Sequence, residues 1–238
     1  MLPTPHNHLL LLAVDANSTQ EEALAAVCSG QGLRFYAPEL NLEPLCAFAR
    51  RGWRQAFAFL LERSHFEPHE ATLNQALRLA AQNGFSSLAI DAWRFGASLD
   101  FDSIFLAVEH GSAACIFELI DAGAATVPVA SPSLGGRMSD LDFLFECCAS
   151  KALDEECVRC ISRGADLRGQ RAEKLANLVF RHGMARSAAA WLSSGASISP
   201  CSRLLWMRAF PALMLAQTEK TALSGAFPLA SKAGATRL

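Results

Sequence analysis

DSIFLAVEHGSAACIFELIDAGA, residues 102–124, decides how this chain reads. Two short amphipathic segments meet at Gly111, and Gly123-Ala124 closes the unit. Ile104, Ala107 and Val108 share one face of a predicted first helix. Cys115, Ile116, Leu119 and Ile120 form an apolar stripe at helical spacing on a second. Gly111 is expected to end the first helix, because a helix C-terminus favours a residue that tolerates positive φ, and Ser112 is expected to cap the second. Each helix would be about ten residues long, too short to stand alone in water, so neighbouring units must supply its burial.

The rest of the chain echoes that stretch. The twelve-residue offset from Gly111 to Gly123 recurs from Gly84 to Gly96 and from Gly183 to Gly195, and each second glycine precedes an alanine. Gly164-Ala165 has the same ending, with Ala152 in the earlier place. Gly52 with Ser64, and Ser18 with Gly30, mark weaker copies. The marks at 18, 52, 84, 111, 152 and 183 are spaced by 34, 32, 27, 41 and 31 residues. A fixed offset that carries the same apolar pattern predicts an array of helix–turn–helix units. The period fails after Ala124, where Pro128, Pro132 and Gly135-Gly136 mark a loop at 125–140.

These motifs resemble the ankyrin repeat. QALRLAAQNG at 75–84 is similar to the first half of that repeat, and EPLCAFARRG at 43–52 keeps its Pro-Leu pair. HGSAACIFELIDAGA at 110–124 is similar to the second half, and RGAD at 163–166 keeps the terminal signature. The resemblance covers roughly residues 8–200 and departs from the family in two ways. No unit carries the whole T-P-L-H tetrapeptide, and the spacing of 27 leaves no room for a normal finger after Gly96. The expected fold is therefore all-α: a solenoid of about six degenerate ankyrin-like units. It forms one domain over 1–216 with a capping helix near Leu204–Ala216, followed by a loose tail at 217–238.

Composition narrows the function. Of 238 residues, 51% are hydrophobic and 18% charged, which is ample apolar material for a core and far from a disordered profile. A net charge of −2 argues against a dedicated nucleic-acid binder, which needs a basic footprint. Leu9–Val14 and Leu204–Ala216 are both short of the ~20 residues a membrane span needs, and the N-terminus lacks a basic signal-like start. The expectation is a cytoplasmic protein that binds neither membrane nor nucleic acid, with export by a non-classical route left open.

The eight cysteines include Cys147, Cys148, Cys157 and Cys160 within one unit. Cys157 and Cys160 form a C-x-x-C, but it falls inside a predicted helix at places where other units are apolar. Core filling is the preferred reading, with a metal or redox module as the alternative. His65 and His69 flank Pro68, which opposes a regular helical His pair. No G-x-S-x-G, phosphate loop or H-E-x-x-H occurs, so no enzyme, metal site or cofactor is expected.

What remains is a surface. In ankyrin-like stacks, the resemblance implies, partners meet the two residues before each inter-helix turn and the fingers between units. Here the first group holds Arg50, Arg51, Gln82, Asn83, Glu109, His110, Lys151, Arg181 and His182. Glu39, Leu40, Leu99 and Phe101 are the finger candidates, with exposed Leu or Phe as anchors. The expected function is non-catalytic binding of a protein partner, as adaptor, inhibitor or effector, on this concave face and the 125–140 loop. Self-association through Leu204–Ala216 is a further alternative.

Overall fold

The structure, a computed structural model, describes residues 19–28, 44–62, 68–125, 139–167, 169–196 and 198–215. Residues 126–138 of the expected loop, Glu39, Leu40, Ser18, Gly30, Ser64 and residues 216–238 lie outside these residues. All regular structure among the described residues is helical. The helices are α1 Gln20–Cys28, α2 Pro44–Arg51, α3 Arg54–Leu61, α4 Glu70–Gln82, α5 Ser86–Arg94 and α6 Phe101–Glu109. They continue with α7 Ala113–Asp121, α8 Asp140–Ser150, α9 Asp154–Ser162, α10 Gly169–Arg181, α11 Ala185–Ser193 and α12 Pro200–Ala209. No helix of the described residues is long and apolar enough to cross a membrane.

The twelve-residue offset is a turn geometry. At Gly111, φ is +76°, the Gly111 N–H donates to Val108 O and the Ser112 N–H donates to Ala107 O. That pair of bonds is the Schellman closure, which satisfies carbonyls a helix end would otherwise leave bare. The same two bonds close α2, α4, α5, α7, α8, α9 and α10. At α8 the left-handed residue is Ala152, with φ +59°, the place the twelve-residue count assigns to it. Some helix starts are capped by nearby side chains. Thr19 and Glu22 exchange side-chain-to-backbone bonds at α1, and Ser139 and Asp142 do the same at α8.

Ser112 differs from expectation. Its hydroxyl makes no capping bond to α7 and donates instead to Gln82 O at 3.1 Å, on the preceding hairpin. Gly84 sits beside that hydroxyl, so the turns of successive hairpins touch. The short spacing after Gly96 is met by a tight link. The Ser98 N–H donates to Asn74 Oδ1 at 2.7 Å, and Leu99 is buried.

The chain divides into two compact units, 1–144 and 145–238. In the first unit α2, α4 and α6 pack side by side in one layer. The second layer runs α1, α3, α5, α7. Fully buried alanines at 76, 80, 81, 89, 92 and 107 let these helices approach closely, while Phe48, Phe57, Leu77, Leu88 and Phe117 fill the space between layers. Each such large side chain contributes about 2 kcal/mol on burial. In the second unit α9 packs on α11 and α10 on α12. Its centre is a run of rings: Phe145–Trp191 at 6.0 Å, Trp191–Trp206 at 5.9 Å and Trp206–Phe210 at 5.8 Å.

Candidate functional site

The residues singled out by the sequence sit at the ends of α2, α4, α6, α8 and α10. Helix α2 is buried from Pro44 to Ala49, so its surface is its last turn, where Arg50 is exposed. The Arg51 guanidinium lies 4.7 Å above the Trp53 ring, a cation–π contact that fixes its direction.

Two of the predicted residues meet. Gln82 Nε2 lies 2.9 Å from His110 Nε2, and His110 Nδ1 lies 2.9 Å from Leu106 O. A carbonyl oxygen only accepts, so Nδ1 carries the proton and donates to it. In that tautomer Nε2 accepts from the Gln82 amide. This pair aligns the last turns of α4 and α6. Asn83 folds back, its amide donating to Leu79 O at 2.7 Å. Glu109 is exposed beside His110. In the second unit Lys151, Arg181 and His182 are exposed.

One turn earlier, Arg78 on α4 reaches Asp100 at 2.7 Å and Asp102 at 3.7 Å on the entry to α6. Asp100 also caps α6, accepting from the Ser103 N–H at 2.7 Å and from its hydroxyl. Burial pushes the Asp100 carboxyl up. The Ser103 hydroxyl, the Arg78 guanidinium and the Ser103 N–H outweigh it and hold the carboxyl below its usual range.

The two finger candidates among the described residues, Leu99 and Phe101, are not exposed. Leu99 is buried at 1% exposure. Phe101 is half-buried, its ring 4.7 Å from that of Phe143. Both serve the core of the first unit, because the link after Gly96 is too short to project a finger. The exposed apolar residue is Phe105, at 46%. It lies on the solvent face of α6, between Asp102 and Glu109. Sequence reasoning passed over it because Ile104, Ala107 and Val108 define the buried stripe. The signal was the spacing Asp102, Phe105, Glu109, which puts a phenylalanine on the polar stripe. Phe95 is similarly exposed at the end of α5.

Six of the seven thiols among the described residues lie inside. Cys46, Cys115, Cys147, Cys148, Cys157 and Cys160 are buried and unpaired by disulfides, while Cys28 is exposed. Burial pushes the Cys115 thiol up to about 11. A hydrogen bond with Cys148, and then burial, pushes Cys160 up, while burial does the same at Cys157. No group of three His, Cys, Asp or Glu side chains among the described residues is arranged to hold a metal ion. The buried thiols have the environment of core atoms.

No family model, curated protein or solved structure matches this chain.

Proposed function

We propose that the chain is a non-catalytic interaction module: an ankyrin-like stack of degenerate helical hairpins that holds a protein partner on the exposed side of its first helices. The observation that carries this reading is Phe105, a large apolar side chain 46% exposed on the solvent side of α6, one turn before the exposed Glu109. A lone exposed phenylalanine on a stripe of otherwise polar side chains fits an anchor point, with the polar residues around it setting register. The recurring Schellman turns and the layering of first helices on first helices support the stack. Carboxylates at Asp102 and Glu109 flank Phe105, and Arg50 marks the end of α2. The chemistry favours a partner segment with one apolar side chain, a basic group towards α6 and an acidic group towards α2.

The test is affinity capture from the native cell with wild type and two variants, Phe105→Ala and Arg50→Glu. A specific co-purifying protein should be retained by wild type and lost with Phe105→Ala, with circular dichroism of the variant unchanged. If the same proteins are captured at the same yield by both variants, the first-helix face is not the interface.

A further inference from the structure

Helix α12 is the last long helix of the described residues, and its outward side carries large apolar side chains. Trp206 is buried and its indole N–H donates to Ala176 O at 3.1 Å, so one side of the helix is fixed on α10, and Phe210 and Met214 just beyond the helix are buried as well. The other side carries Leu204 at 67% exposure, Met207 at 48% and the partly exposed Leu205. At ~100° per residue, Met207 and Leu204 lie next to each other around the helix, with Arg203 beyond one and Arg208 beyond the other. Both arginines are exposed, and neither makes an ion pair among the described residues. The sequence from 200 to 215 contains no Asp or Glu.

We infer that α12 is a second docking site, taking an amphipathic helix of another protein whose apolar ridge is bordered by Asp or Glu on both sides. It belongs to the second unit and is independent of the α4/α6 face. An apolar ridge between two cations selects its occupant by charge. A second copy of this chain is disfavoured. In any symmetric pairing of two α12 ridges, every flanking charge is an arginine, and the copies repel. An anionic bilayer is disfavoured as well. Polybasic membrane attachment uses roughly four or more clustered cations, whereas α12 offers two on a chain of net charge −2. An acidic helix satisfies both arginines while covering Leu204 and Met207, in the mode of a helix laid along an apolar surface.

The test uses a displayed library of randomised helical peptides selected on the full chain, with Leu204→Ser and the double change Arg203→Glu, Arg208→Glu as counter-targets. Peptides enriched on wild type should carry leucine-type residues at i and i+3 or i+4 with Asp or Glu on both flanks. Their affinity should fall at least tenfold on either variant, and replacing the peptide's acids by Lys should restore binding to the double variant. Enriched peptides that lack flanking acids, or that bind all three proteins equally, overturn the inference. Sedimentation with phosphatidylserine vesicles that Leu204→Ser abolishes would transfer the site to lipid and overturn it. A dimer of the wild type that dissociates in Leu204→Ser would transfer it to a second copy, with the same result.

Discussion

Ala152→Gly should stabilise the protein. Ala152 occupies the left-handed turn between α8 and α9 at φ +59°, the place held by Gly52, Gly84, Gly111 and Gly183 in other hairpins. Its neighbours make the same Schellman bonds, Ala152 N–H to Ala149 O and Leu153 N–H to Cys148 O, so the glycine enters a finished turn. An L-residue in this region costs roughly 1–2 kcal/mol, because Cβ crowds the following carbonyl. The greater freedom of glycine in the unfolded chain offsets about 0.4–1 kcal/mol of that. The net gain is about 0.5–1 kcal/mol, or an increase of about 1–4 °C in Tm for a chain of this size. The reverse change, Gly111→Ala, should cost a similar amount, since a Cβ there meets nothing within 4 Å and only the backbone pays. Gly52→Ala should cost more, because its Cβ would stand 2.7 Å from the Phe85 ring. Urea unfolding followed by circular dichroism and by tryptophan emission reads all three. A destabilised Ala152→Gly, or a neutral Gly111→Ala, would refute the turn geometry.

Three further outcomes follow from buried groups. Cys115 is neutral in the fold up to about pH 11, whereas in the unfolded chain it ionises near the ordinary thiol value. The unfolded state therefore binds fewer protons above that value. Stability is complete below about pH 8.5, the ordinary thiol value, and falls as pH rises towards 11, by about 1.4 kcal/mol per unit for one thiol. Cys115→Ala should flatten the urea-midpoint profile between pH 9 and 11, and an unchanged slope would contradict the burial. An aromatic disulfide reagent at pH 8 should label exposed Cys28 at once, whereas the buried thiols should wait for unfolding. Trp191 and Trp206 are both fully buried, but the Trp206 N–H has an acceptor and the Trp191 N–H meets none among the described residues. Trp206→Phe should therefore cost about 1 kcal/mol more than Trp191→Phe, measured by the same unfolding curves.

The helices were legible because their ends are. Glycine at the left-handed position and an alanine after it leave a mark that survives when the rest of the unit drifts, and even Ala152 kept the count. Apolar periodicity then placed Ile104, Ala107 and Val108 inside. The same periodicity could not tell a projecting Leu99 from a buried one. That depends on the length of the link from Gly96 to α6, and on Asn74 holding Ser98 down. Ser112 was misjudged for a related reason. A serine before a helix reads as a cap, but the nearest acceptor for its hydroxyl lies thirty residues back at Gln82. Pattern along one helix does not report what the neighbouring hairpin offers.

That neighbour-to-neighbour bonding also explains how the hairpins hold without the threonine and histidine of the tetrapeptide that the proposed ankyrin-like reading would call for. Arg54 reaches Asp91 at 2.6 Å, Arg78 reaches Asp100, and Ser98 reaches Asn74, each joining one hairpin to the next. In the second unit Asp154 accepts from the Arg186 N–H, the Ser187 N–H and the Ser187 hydroxyl, Arg186 pairs with Glu155, and Lys174 pairs with Glu146. Polar side chains used this way are fixed by the fold. Moving them to meet a partner would leave Asp154 or the buried Ser187 unsatisfied, at a cost of about 1–3 kcal/mol each. The groups at liberty to bind are the ones the fold does not use, Phe105 in the first unit and Leu204 with Met207 in the second. On the proposed reading, affinity should therefore come chiefly from a few apolar anchors, with charge selecting the partner at both surfaces. The flanking arginines should make α12 the more salt-sensitive of the two surfaces.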